Sequence, residues 1–177
     1  MEIFNNLIQT LTTPNEELTN IICSPLMFIE MYVSMLLFTA ILNIKTTRKQ
    51  RIVYVLVSSL WAFFSRFVIS APYNTIINLF ISPFLVYFLL KGNIISSIIA
   101  QFIPFIITAL IEPFIAKIYL ICFGTNYSEA MFTPIYRLAI MLLVYCIMFI
   151  LYFVCKKFAL TIKSLDLLDK HSKLLLF

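Results

Sequence analysis

Five ionisable side chains stand inside long apolar runs: Glu30, Arg66, Glu112, Lys117 and Arg137. The stretch "ALIEPFIAKIYL", Ala109 to Leu120, carries two of them among residues that avoid water. Acids and bases in such surroundings can pair with one another, relay protons, or hold a charged ligand. Each costs at least ~2.5–3.5 kcal/mol at the middle of a bilayer and less near its surface. What the five groups do therefore depends on the elements that hold them and on their depth.

The 177 residues are 62% hydrophobic and only 12% charged, and the mean hydropathy is +1.01. A soluble domain of this size could not cover such a core with so few charges. The apolar residues also run in blocks near the ~20 residues that a helix needs to cross ~30 Å of hydrocarbon. A transmembrane β-barrel would alternate over ~10-residue segments with many turn residues, and the chain has two glycines. The expected class is all-α: a polytopic transmembrane helix bundle of about five spans.

Residues 1–20 carry Glu2, Glu16 and Glu17 and no base, unlike a signal peptide. Ile3, Phe4, Leu7, Ile8 and Leu11 fall on one face of a short helix suited to the membrane interface. Thr13, Pro14 and Glu16 read as cap, first-turn proline and capping-box acid of a second helix. Pro25 resets the helix, and spans are expected over Leu26–Ile44, Ile52–Ser70, Thr75–Leu90, Ile94–Ile121 and Ile135–Val154. The fourth is long, so Pro104 and Pro113 are candidate kinks and a candidate hinge. The longest polar connection is "FGTNYSEAMFTP". Residues 1–24 thus form an extracellular or interfacial N-terminal part and 25–157 the bundle. The remaining 158–177 read as a cytoplasmic amphipathic linker. The terminal "KLLLF" reads as the start of a further span, so the sequence is expected to be a piece of a longer protein.

Basic residues flank cytoplasmic span ends. "KTTRKQR" holds Lys45, Arg48, Lys49 and Arg51, the third connection holds Lys91, and Lys156, Lys157 and Lys163 follow span five. The alternation puts the N-terminus outside and the C-terminal tail inside. At ~1.5 Å per residue, Glu30, Arg66, Glu112, Lys117 and Arg137 then share the outer half of the bundle. Two readings stand. In the structural one, Lys117 and Arg137 snorkel, Glu30 pairs with Arg66 and Glu112 with Arg137. In the functional one, the five line an outward-facing polar pocket with surplus positive charge for a short peptide or anionic small molecule, entering between spans two, four and five. Phe63, Phe64, Phe67, Tyr73, Tyr119, Phe123, Tyr127, Phe132 and Tyr136 gather at the same boundary, as an interfacial aromatic belt does.

No G-x-S-x-G, H-E-x-x-H or glycine-rich phosphate loop occurs, and the single histidine, His171, lies in the tail. Cys23, Cys122, Cys146 and Cys155 are scattered singly, which favours neither a disulfide framework nor a metal site. No catalytic residue, metal, cofactor or nucleic-acid partner is expected; the lipid bilayer is.

The segments "FTAILNIKTTRKQR", "APYNTIIN", "IEPFIAKIY" and "TPIYRL", followed by Lys156–Lys157 and "SLDLLDK", resemble the N-terminal membrane region of bacterial Agr-type peptide-sensing histidine kinases with a GHKL ATPase domain. The resemblance covers nearly the whole chain through dispersed motifs. It implies a multi-pass receptor in a bacterial cell membrane that senses an extracellular signal, often a pheromone peptide, as in quorum sensing. It also implies a homodimer whose cytoplasmic kinase domain and response regulator act through a C-terminal part this sequence lacks. The chain departs from the family in having no phospho-acceptor box, no ATP-binding asparagine box and no glycine-rich lid, and "DKHSK" around His171 does not match the acceptor motif. The competing expectation is a substrate-binding membrane subunit of a small-molecule importer, which two glycines disfavour. A structural membrane subunit without a ligand is the third.

Overall fold

The computed structural model describes residues 2–70, 73–124, 126–158 and 160, and the side chains of 2–5 and 7 are not described. The expected linker beyond 160, with Lys163 and His171, therefore lies outside the described residues, as do the apolar face expected for residues 3, 4 and 7 and part of the "APYN" turn.

The described residues form eight helices: α1 Glu2–Thr12, α2 Glu16–Cys23, α3 Leu26–Ile41, α4 Arg48–Val68, α5 Tyr73–Leu90, α6 Ile94–Phe123, α7 Tyr127–Phe132 and α8 Pro134–Lys157. Four of them, α4, α5, α6 and α8, are long and apolar enough to cross a membrane. The pair α2 and α3 makes a fifth candidate, bent by 54° at the Ser24–Pro25 break. The chain is an all-α, polytopic, multi-pass helix bundle.

Local chemistry sets the ends. The second helix is capped by Asn15, whose Oδ1 accepts the Leu18 N–H at 3.0 Å, and not by Thr13. Asn15 is extended and one residue before the helix, where a short amide side chain reaches the free N–H groups. The α4 start is a full capping box: Thr47 Oγ1 accepts from the Gln50 N–H and Gln50 Oε1 from the Thr47 N–H. Part of the basic "KTTRKQR" loop is thus already helical. Gly124 ends α6 in the left-handed region at φ 64°, its N–H donating to the Leu120 carbonyl, a conformation that favours glycine. The long polar connection is not all loop, because Asn126 Oδ1 caps a short α7 by accepting the Glu129 N–H at 2.8 Å.

The helix α3 is central and touches α4, α6 and α8, while α5 bridges α4 and α6. One core cluster joins α3, α6 and α8 through Leu37, Ala116, Ile140, Val144 and Met148. A second joins α3, α4, α5 and α6 through Met35, Phe38, Tyr54, Val86 and Ala100. Large apolar side chains such as Phe80, Phe84, Phe88, Leu110, Phe114 and Ile121 are exposed. In water such a surface would be untenable; against lipid tails it is the expected solvent face. The helix α4 shows the sorting most clearly. It buries Ser58, Ser59 and Ser65 and exposes Leu56, Leu60, Phe63, Phe64 and Phe67. Small hydroxyls allow close helix approach, and hydrocarbon accepts the phenyl rings.

Candidate functional site: a polar centre at the α2–α7 end

Four of the five expected ionisable residues converge where α3 and α8 begin and α4 ends. The best-defined contact is an ion pair between Arg137 Nη1 on α8 and Glu112 Oε1 on α6. Both side chains are partly covered, 22% and 29% exposed, so water screens the pair only partially. The same guanidinium nitrogen lies 2.8 Å from Met131 Sδ on α7. This is the Glu112–Arg137 pairing expected from depth alone.

The expected Glu30–Arg66 pair is not formed. Glu30 Oε2 instead accepts a hydrogen bond from the Tyr145 hydroxyl of α8 at 3.0 Å. The reason lies in packing: α8 is the main neighbour of α3 and brings Tyr145 against it. Among the described residues, Arg66 makes no ion pair. Lys117 does not join the centre; it is exposed and lines none of the three cavities described next. It stands five residues after Glu112 on α6, about 140° further round a helix of 3.6 residues per turn, so it faces away from the acid.

Three polar cavities meet at this centre. One of about 230 Å³ lies between α3, α4, α5 and α6 and is lined by Glu30, Ser58, Trp61, Arg66 and Asn78 among others. A second, of about 270 Å³, is bordered by Glu30, Ser34, Tyr54, Gln101, Thr108 and Glu112. The third, about 320 Å³, is bordered by Thr19, Cys23, Arg66, Glu112, Tyr127 and Arg137. Each pair of cavities shares one ionisable residue: Glu30 joins the first and second, Arg66 the first and third, Glu112 the second and third. The charged groups are the partitions of one branched polar space.

The third cavity, here the vestibule, is covered by α2 and α7. A single carbonyl ties these two together: Phe132 O accepts from the Asn15 N–H at 2.7 Å, and the Thr19 hydroxyl, 2.7 Å from both Phe132 O and Asn15 O, shares its one proton between them. Sequence reasoning gave α2 no part in the site, because the contact joins residues 113 apart. Tyr127 and Phe132 of the aromatic group border this vestibule. Tyr119 instead stacks on Phe123 at 4.3 Å between centroids and packs on Tyr136, and Phe63, Phe64 and Phe67 face outward, as belt residues do.

The helix α6 runs unbroken through both prolines of the expected hinge. Pro104 is buried and Pro113 exposed. Neither has an N–H, so the carbonyls of Ala100 and Ala109 lose their helical donors. The Thr108 hydroxyl donates to the Pro104 carbonyl, and Ala109 borders the second cavity. A third intrahelical proline, Pro83, lies in α5.

Apart from Glu16, which borders the vestibule, the residues that sequence reasoning missed are uncharged: Tyr145, Ser58, Trp61, Asn78 and Gln101. Their signal was available. A tyrosine, tryptophan or carboxamide inside an apolar span requires a hydrogen-bond partner and so faces a neighbouring helix. No group of three or more metal-ligating side chains occurs among the described residues. No known protein family, curated protein or solved structure matches the chain, and no catalytic family or motif is found in it.

Proposed function

We propose that this chain is a membrane signal-receptor module. It takes an extracellular ligand, a short peptide or anionic small molecule, into the vestibule between α4, α6 and α8, and passes the change to a cytoplasmic kinase domain that the sequence does not contain. The reading combines the family resemblance of the segments above with the basic-residue bias that turns the α2–α7 end outward. The observation that carries it is the vestibule itself. It opens onto one complete ion pair, Glu112–Arg137, and onto Arg66, which has no acidic partner among the described residues. With Glu16 on the α2 wall the lining charges balance in sum, and Arg66 is the cation there that an anionic group engages without breaking an ion pair.

Binding transmits a signal only if two helix arrangements differ in affinity for the ligand. The vestibule wall includes Glu112, next to Pro113, whose missing N–H weakens the α6 ladder at that level. A ligand that competes for Arg137 changes the α6–α8 contact, and α8 continues to Lys156–Lys157 at the far end of the bundle. The test fuses the chain to a reporter kinase and challenges cells with peptide fractions of spent growth medium. Wild type is expected to respond, Arg137→Gln to lose at least about tenfold in sensitivity, the scale of a charged hydrogen bond, and Glu112→Gln, which frees Arg137, to shift sensitivity the other way, all at equal membrane abundance. Wild-type responses from both variants would make the pair structural and end the proposal. Uptake of a labelled ligand without any reporter response is the outcome that an importer subunit requires.

A further inference from the structure

The cavity between α3, α4, α5 and α6 meets the vestibule at Arg66, and its polar groups are not used up by the protein. Ser58 Oγ and Trp61 Nε1 are buried and have no hydrogen-bond partner among the protein atoms. Both residues line this cavity, and Ser58 is 95% covered, being 5% exposed. Buried donors without acceptors are costly and rare, and both atoms are sealed by protein, so they shape the wall without facing the space. Arg66 lines the same wall and makes no ion pair among the described residues. Arg66 is therefore the donor that borders the space without an acidic partner, and a carboxylate is the natural counterpart of a guanidinium.

The other wall has the opposite character. Glu30 reaches the cavity from α3, and only its Oε2 is used by Tyr145 among the described residues. An acid and a base thus border one small space without touching each other. Asn78, which donates through Nδ2 to Ser65 Oγ at 3.0 Å, and Gln101 supply neutral amides between them. The volume, about 230 Å³, lies below the ~300–1,000 Å³ of sites for drug-sized ligands, so the occupant is small.

We propose that this cavity binds a small zwitterionic amino-carboxylate, with the class of free α-amino acids as its ligands. Its carboxylate is held by Arg66 and its ammonium by Glu30. Arg66 also borders the vestibule, so the guanidinium stands at the passage between the two spaces and meets the carboxylate first. The assignment goes beyond the receptor reading and does not require it.

The chain supplies its own reporter, because Trp61 is its only tryptophan. The purified chain in lipid nanodiscs is titrated with each of the twenty standard L-amino acids in turn, and with acetate and methylammonium as single-charge probes, while tryptophan emission is read. At least one amino acid is expected to shift the emission saturably, with the single-charge probes needing at least about tenfold higher concentration. Arg66→Gln and Glu30→Gln are each expected to weaken binding at least about tenfold, as loss of a charged hydrogen bond implies. No saturable shift with any of the twenty overturns the proposal. So does acetate binding as well as the best amino acid, or unchanged affinity in Arg66→Gln. Should the charge variants fail to fold, the comparison of the single-charge probes with the best amino acid decides alone. The measurement uses no kinase reporter, so its failure leaves the vestibule reading standing, and loss of the reporter response leaves this one standing.

Discussion

At the scale of single residues, the polar centre shows how a partner's location outweighs its charge. Glu30 lies at a depth similar to Arg66 on the next helix, yet its hydrogen bond comes from Tyr145, 115 residues away. An uncharged donor already lowers the cost of a carboxylate among apolar neighbours, and it adds no second charge to desolvate. Tyr145→Phe removes the donor while leaving the ring in the core. It is expected to destabilise the chain by about 1–3 kcal/mol, the cost of leaving a buried acceptor unsatisfied. Combining it with Glu30→Gln should cost at least ~0.5 kcal/mol less than the two single losses added together, because both remove one contact. Unfolding of the four forms in detergent, compared at one temperature, checks this; strict additivity would mean that the hydroxyl and the carboxylate do not interact.

At the scale of elements, the site depends on the two short helices α2 and α7, neither of which spans a bilayer. Eight and six residues long, they are too short to be stable alone and hold their places through caps and tertiary contacts. Asn15 and Asn126 cap their first turns, and the Phe132 carbonyl ties one to the other. Thr19→Val keeps the shape of the side chain and deletes one of the two hydrogen bonds to that carbonyl. The cover should open more often. Cys23 lines the vestibule and is 2% exposed, so it reports opening directly. With Cys122, Cys146 and Cys155 replaced by alanine, a membrane-impermeant maleimide is expected to modify Cys23 about two- to tenfold faster in Thr19→Val, matching one neutral hydrogen bond. An unchanged rate would show that the Thr19 bond does not hold the cover closed. The long α6 belongs to this scale too. Its 30 residues extend ~45 Å, more than the hydrocarbon core, so it must tilt or project beyond the bilayer.

At the scale of the whole molecule, the bundle is polar inside at one end and apolar outside along its length. Its exposed surface is rich in Phe, Ile and Leu, while Ser58, Ser59, Ser65 and the ionisable centre lie inward. The receptor reading requires the α2–α7 end to face the medium. In a background lacking the native cysteines, single cysteines at Asn15 and Asn126 are expected to react with an impermeant thiol reagent applied to intact cells. One at Arg48 should react only after the membrane is permeabilised. Labelling at position 48 from outside would reverse the orientation, and with it the side from which a ligand enters.

The sequence by itself determined the class, the approximate spans and the residues that bear charge in the membrane. These follow from run length, hydropathy and the rarity of ions in hydrocarbon, which are local or additive properties. Expected and observed spans differ by a few residues at most of their ends, since caps such as the Thr47–Gln50 box set the boundary more finely than hydropathy does. The Glu112–Arg137 pair was legible because shared depth and opposite charge leave few arrangements. Other features were decided only by the tertiary structure. Rotation of α6 about its axis turns Lys117 away from the centre, although it lies near Glu112 in sequence. The neighbours of α3 give Glu30 a tyrosine in place of an arginine. The cover over the vestibule joins residues 113 apart through one carbonyl. Depth along a helix is a sum over residues and can be counted along the chain, whereas azimuth and partnership arise from how helices pack, which no single segment encodes.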